Sequence, residues 1–243
     1  MTDQQTGIDK LDQPYPTWFL LLVPIFVLAF LSPLVFPFAG DWTWLEGWIF
    51  VLSLALNVGI GTAVINRQNP RVLRNRSRLK KEGLTRATEK SASSDRFILP
   101  MASIGGLGAI VIAALGHRFD WHTLPFGVAL FGALMVNAGA IFVQVATNQN
   151  AHASKILDIN KGQVLVDTGL YGLVRHPIYT GFMLMFLFWP VALGSLWGIP
   201  FGLLACASLV IRIHFEEEML LKGMEGYEDY RSRVPYKLIP KVY

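Results

Sequence analysis

The chain has 243 residues, 53% of them hydrophobic and 16% charged, where a soluble domain carries about a quarter charged residues. That composition leaves no room for a separate soluble domain and reads as one integral membrane unit. The single cysteine, Cys206, excludes intramolecular disulfides and multi-cysteine metal sites, and no two of the five histidines stand at the i, i+4 spacing of a helical metal pair, so no metal is expected.

Apolar stretches run from Trp18 to Phe38, Trp44 to Ile65, Phe97 to Gly116, Leu124 to Ala146, Ile178 to Leu193 and Leu196 to Ile213. The expected fold is all-α: a polytopic helical membrane protein of about six crossings. The last two stretches are short and separated only by Gly194 and Ser195, which predicts a tight helical hairpin. The net charge of +4 suits either a nucleic-acid surface or membrane topology. With the N-terminus in the cytoplasm, every Lys and Arg except Arg118 falls on the inner side, as the positive-inside rule requires. The basic excess therefore reports orientation, with both termini cytoplasmic, the lipid bilayer as partner and no nucleic acid expected.

Residues 1–16 are polar with one Lys, so no signal-peptide n-region precedes the first span, which is expected to be retained as an anchor. A basic cytoplasmic loop over 66–96 contains a Ser/Thr/Arg/Lys-rich run from Arg74 to Ser94, expected near anionic lipid. Trp42, Trp44, Trp121 and Trp197 are expected as interfacial anchors. Asn57 and Asn137, inside apolar stretches, either hydrogen-bond between helices or line a substrate path, while Gly105, Gly106 and Gly108 allow close helix packing.

Polar residues gather in two segments, Asn148 to Tyr179 before the hairpin and Arg212 to Tyr243 after it. A chain that enters the membrane at Pro177 and leaves near His214 has both ends on one face. Arg175, His176 and Tyr179 are therefore expected near Glu216, Glu217 and Glu218. The expected organisation is residues 1–147 as four spans with the basic loop, and 148–243 as the functional half with a C-terminal amphipathic helix.

The first motif reads Gly169-Leu-Tyr171-Gly172-Leu-Val174-Arg175-His176-Pro177-Ile-Tyr179-Thr-Gly181. Pro177 suits the first turn of a helix, and the free N–H groups there, with Arg175 and His176, make a seat for a carboxylate or phosphate. The plainer reading has Arg175 as a topological anchor and His176 as a cap. In the second motif, Arg212 to Lys222, a continuing helix lets Arg212 pair with Glu216 and Glu218 with Lys222. Glu217, with Ile213 and Leu221 four residues away, either faces water or meets a group from elsewhere in the fold. Tyr227 and Tyr230, at i, i+3, share one face of a short helix that could equally lie in the membrane interface.

At these motifs the chain resembles the integral membrane methyltransferases of the isoprenylcysteine carboxyl methyltransferase family, which are similar in their C-terminal halves to phospholipid N-methyltransferases. The resemblance runs from Asn148 onward: Gly-x-Tyr at Gly169, Val-Arg-His-Pro-x-Tyr-x-Gly from Val174 to Gly181, Glu216–Glu217, and Gly-Tyr-x-x-Tyr from Gly226 to Tyr230. Leu170 stands where many relatives have Pro, and the Glu pair is a triplet. The resemblance implies an enzyme that moves a methyl group from S-adenosylmethionine to a lipophilic or small acceptor (a carboxylate, amine or thiol) at the cytoplasmic face.

It also implies roles. Arg175 and His176 would hold the cofactor carboxylate, Glu216 or Glu217 its ribose or ammonium, and Tyr171, Tyr179 and Tyr227 its adenine and sulfonium. Gly169, Gly172, Val174 and Pro177 belong to the same cofactor motif. Arg175 or Arg231 would orient a carboxylate acceptor, and Glu217 would take the proton of an amine or thiol. The ending Val-Pro-Tyr-Lys-Leu-Ile-Pro-Lys-Val-Tyr resembles sterol reductases, which implies a rival activity, NADPH-dependent reduction of an isoprenoid or sterol double bond. The Asn-Tyr-x-Gly-Asp pattern usual in those enzymes is replaced here by His-Pro-x-Tyr-x-Gly.

Overall fold

A computed structural model describes residues 13–74, 92–121, 124–150 and 165–243. Most of the basic run from Arg74 to Ser94 lies outside the described residues. The elements in chain order are α1 (Thr17–Ala39), α2 (Leu45–Gln68), α3 (Ala92–Arg118), α4 (Phe126–Gln149), a 3-10 turn (Gly169–Gly172), α5 (Pro177–Ala192), α6 (Ile199–Gly223) and α7 (Tyr227–Arg233), with no strand among the described residues.

Five helices, α1 to α4 and α6, are long and apolar enough to cross a membrane. The sixth expected crossing is shorter: α5 has 16 residues and rises about 24 Å, less than the ~30 Å hydrocarbon core. By contrast α6 has 25 residues. It continues past Ile213, through Glu216, Glu217 and Glu218, because the acids find partners instead of ending the helix. The hairpin is therefore asymmetric, and the longer arm carries the acids to the level of the α5 N-terminus. Its turn occupies 193–198, with Gly194 at φ +66 and the Leu124 N–H donating to the Gly194 carbonyl at 2.7 Å.

The helices pack as α1 on α2, α2 on α4, α4 on α5, α5 on α6 and α3 on α6. Small residues set the closest approaches. An added Cβ on Gly105 would meet the Ala205 backbone nitrogen at 2.5 Å, and one on Gly132 would meet the Ala192 nitrogen at 2.5 Å, so neither position admits a side chain without separating the helices. Large apolar residues such as Trp18, Leu21 and Phe26 of α1 point outward, as lipid contact demands.

Half-buried amides join α2 to α4. Asn57 Nδ2 donates to Asn137 Oδ1 at 2.9 Å, Asn137 Nδ2 to Ser53 Oγ at 2.9 Å, and Gln144 Nε2 to Asn57 Oδ1 at 3.0 Å. Asn57 and Asn137 thus act as interhelical contacts. Trp44 departs from the expected anchor role: it is buried and stacks on His117 with centroids 4.3 Å apart, whereas Trp42 and Trp197 are exposed. The cause is local, since His117 is held by Asp41 at 3.2 Å and the Trp44 ring packs on it.

Candidate active site

The 3-10 turn fixes the approach to α5. Gly169 has φ +60, and a Cβ there would lie 2.5 Å from the Gln149 side chain, so glycine is required by both backbone and space. Gln149 Oε1 accepts the Leu170 N–H at 2.9 Å, and the Tyr230 hydroxyl donates to the Tyr171 carbonyl at 2.8 Å. The turn is thereby tied to the end of α4 on one side and to α7 on the other. Tyr171, Val174 and Pro177 are buried while Gly172 is exposed, and α5 begins at Pro177.

Beyond the turn, two segments far apart in sequence meet in one buried charge cluster. Arg175 Nε donates to Glu217 Oε1 at 2.7 Å, and its Nη1 donates to the Val234 carbonyl at 2.7 Å. His176 Nε2 lies 3.3 Å from the same Glu217 oxygen, and Lys237 Nζ lies 3.2 Å from Oε2. The side chains of Arg175 and His176 are 3% and 4% exposed and that of Glu217 8%, but Lys237 is 24% exposed. Lys237 is therefore the one partner of the three with an open route to water. Glu217 does meet groups from elsewhere in the fold, as its position on α6 demands.

The expected anion seat at the start of α5 is filled by the chain itself. The Arg175 N–H donates to the Tyr236 carbonyl at 3.0 Å and the His176 N–H to the Lys237 carbonyl at 2.9 Å. Thr180 Oγ1 donates to the Leu238 carbonyl at 2.8 Å. Residues 234–238 thus run across the helix start and take the backbone donors of Arg175 and His176. With the Arg175 guanidinium and the Lys237 ammonium on it, Glu217 is also poorly suited to accept a proton: protonation would remove the charge that compensates them.

A second polar line runs beside the first. The Tyr179 hydroxyl donates to Glu216 Oε2 at 2.6 Å, and the Tyr179 ring stacks on His176 at 5.7 Å. Arg212 forms an ion pair with Asp95 of α3, Nη1 to Oδ1 at 3.4 Å, and Glu218 pairs with His214 at 3.2 Å. Arg212 thus finds a counter-charge on another helix, while Glu218 pairs within α6, four residues back to His214.

Tyr227 and Tyr230 share a buried face of α7, with centroids 5.8 Å apart. Burial pushes both phenols above their ordinary range, for Tyr227 with the nearby Glu217 carboxylate adding to the effect. The Tyr227 hydroxyl is buried with no hydrogen-bond partner among the described residues. Arg231 lies exposed on α7 and takes no part in the cluster around Glu217. Sequence reasoning missed Lys237, Asp95 and Thr180. Only Asp95 carried a signal, being an acid at the edge of an apolar stretch.

Comparison with known proteins gives the following similarities. Residues 128–226 match the phospholipid methyltransferase family. Protein-S-isoprenylcysteine O-methyltransferase of Schizosaccharomyces pombe is 32% identical over 114 residues, 46% of this chain and 44% of that protein. Delta(14)-sterol reductase TM7SF2 of Mus musculus is 39% identical over 85 residues, 34% of this chain and 20% of that protein. The chain thus spans less than half the length of these curated relatives. A solved eukaryotic intramembrane Ras methyltransferase, the isoprenylcysteine carboxyl methyltransferase, superposes with a TM-score of 0.47 at 20% identity, covering 93% of this chain and 85% of that one. The resemblance read from the two motifs is borne out as a resemblance: this is a multi-pass helical membrane protein whose residues 128–226 match the phospholipid methyltransferase family and which is similar over 46% of its length to an isoprenylcysteine O-methyltransferase.

Proposed function

We propose that the protein is a membrane methyltransferase that uses S-adenosylmethionine and delivers its methyl group to a lipophilic or small acceptor at the cytoplasmic face, with both termini on that side. The observation that carries this reading is the 2.7 Å contact between Arg175 and Glu217, which joins the two motifs of the resemblance into one site at the end of the hairpin. The orphaned Tyr227 hydroxyl beside that cluster fits a ligand rich in hydrogen-bonding groups, as does the partly exposed ammonium of Lys237. When bound, the cofactor supplies a methyl carbon already activated by a sulfonium, so no nucleophilic triad is needed.

The chain's own residues then have distinct tasks. Lys237, with Arg175 and His176 behind it, would hold the cofactor carboxylate; Tyr227 and the stacked His176–Tyr179 pair would offer ring faces to the sulfonium and adenine. Glu216, partly buried with the Tyr179 hydroxyl on one oxygen, would accept ribose hydroxyls or the proton of an amine or thiol acceptor. Glu217 would keep Arg175 and His176 in place. Gly169, Tyr171, Gly172, Val174 and Pro177 would shape the wall of the site, and Arg231 would reach an acceptor only from the outer face of α7. Methyl transfer is an in-line displacement, so alignment and exclusion of water are what the protein must provide.

Protein purified in detergent should bind S-adenosylmethionine saturably by calorimetry and transfer radiolabelled methyl groups into extracted host lipids or thiols. The sterol reductase similarity supports one rival, reduction by NADPH. Saturable NADPH binding with no heat from the methyl donor would give that reading the site.

A further inference from the structure

The second polar line contains a buried charge pair that the methyl-transfer reading leaves without a task. Arg212 stands one turn before Glu216 on α6, and Asp95 stands in the first turn of α3. Nη1 to Oδ1 is 3.4 Å and Nη2 to Oδ2 is 3.5 Å, with both side chains less than a tenth exposed. The Arg212 side chain also lies beside the Tyr179 hydroxyl, which donates to Glu216 at 2.6 Å. Asp95, Arg212, Tyr179 and Glu216 therefore form one continuous polar line across α3, α6 and α5. Its first member lies outside residues 128–226, the segment that matches the methyltransferase family.

Stability alone is a weak reason for such a pair, because an apolar pair of similar volume is often as stable as a buried ion pair. What a carboxylate facing both terminal nitrogens does provide is direction. A guanidinium is planar, so two contacts on its fork fix its orientation and aim its remaining donors. Here the aimed group is the Tyr179 hydroxyl, and Tyr179 in turn fixes Glu216.

We propose that Asp95 is a positioning residue for methyl transfer: by locking Arg212 it holds the Tyr179–Glu216 pair in the orientation that receives the cofactor. The inference rests on the function proposed above. It makes the N-terminal half of the chain a contributor to the site as well as a lipid-facing scaffold.

The test compares S-adenosylmethionine affinity by calorimetry with the unfolding midpoint in detergent for the wild type, Asp95→Asn, Asp95→Glu and the double variant Asp95→Leu/Arg212→Met. Misalignment of a positioned pair is expected to weaken binding at least about tenfold in Asp95→Asn. Asp95→Glu, which keeps the charge, should recover most of the loss. The double variant replaces both charges by apolar groups, so it should unfold near the wild-type midpoint yet bind no better than Asp95→Asn. A merely structural tether predicts the reverse, and wild-type affinity in the folded double variant overturns the proposal. Asp95→Asn/Tyr179→Phe gives a second reading: losses that do not add support action through Tyr179, and additive losses overturn it. Absence of binding by the wild type itself defeats the methyltransferase reading and this inference together, whereas wild-type binding with indifferent variants defeats this inference alone.

Discussion

Replacing Glu217 by Gln keeps the shape of the cluster and removes its only negative charge. Two cations, Arg175 and Lys237, are then left uncompensated beside the His176 ring; the three stood 2.7, 3.2 and 3.3 Å from the carboxylate. Lys237 is 24% exposed and can turn to water. Arg175, with its side chain 3% exposed, cannot, and keeps the Val234 carbonyl as an acceptor. Breaking a buried pair by removing one partner costs about 3–5 kcal/mol, and the mobility of Lys237 puts this case near the lower end, about 3 kcal/mol. At roughly 2–4 °C per kcal/mol for a chain of this size, the unfolding midpoint should fall by about 6–12 °C. The assay is thermal unfolding in detergent followed by circular dichroism. A companion variant, Arg175→Met/Glu217→Leu, removes both charges and should recover more than half of the loss, since an apolar pair avoids the desolvation penalty. A midpoint for Glu217→Gln within about 1 °C of wild type, or a double variant no better than the single one, would refute the reasoning.

Three further outcomes follow from the geometry. Gly105→Val places a branched side chain against the Ala205 backbone nitrogen, where even a Cβ would sit at 2.5 Å; separation of α3 from α6 should cost more than about 2 kcal/mol, read as a lowered midpoint, and an unchanged one would rule out the close approach. Asn137→Leu breaks the bonds to Asn57 and Ser53 and should cost about 0.6–1.7 kcal/mol; equal stability of Asn137→Leu and wild type would argue against the amide network. Burial raises the Tyr227 and Tyr230 phenols, so both stay neutral in the fold above the pH at which they would ionise in an unfolded chain. Their contribution is fully present below the ordinary phenol value of about 10 and lost as pH rises from there through the folded value. Alkaline titration at 295 nm, differenced against Tyr227→Phe and Tyr230→Phe, should show both ionising late, and ionisation with free phenol while the protein is still folded would contradict this.

The helices and the hairpin were legible because hydropathy is a property of adjacent residues, and the bilayer makes it decisive. Arg175 and Glu217 could be brought together on paper for a related reason: a hairpin returns the chain to its starting face whatever its side chains do. Asn57 and Asn137 were readable because an amide in an apolar stretch must find a partner. Gln144, seven residues after Asn137 and so two turns along the same face, offered the same signal and was missed. What stayed hidden depends on a segment doubling back. Pro177 marks a helix start, but nothing near it says that Tyr236 and Lys237 will occupy the donors there. The same holds for Arg212, whose helical neighbours suggested Glu216 while Asp95, 117 residues earlier, supplied the counter-charge. Trp44 looked like an anchor by its place at a span end, and became a packing residue through a histidine on another helix.

The run of residues 234–238 over the start of α5 has a consequence in time. The carbonyl that receives the Arg175 guanidinium belongs to Val234, 59 residues further on, and the carbonyls that receive the Arg175 and His176 backbone donors come later still. During synthesis every helix of the bundle is therefore made before the site can close. Until then Glu217 can meet the Arg175 guanidinium, but Nη1 and the backbone donors at the helix start lack the carbonyls that residues 234–238 supply. Closure of this site thus waits for residues 234–238, after every helix of the bundle has been made, and a chain cut at residue 233 should keep its helices around an unlatched centre.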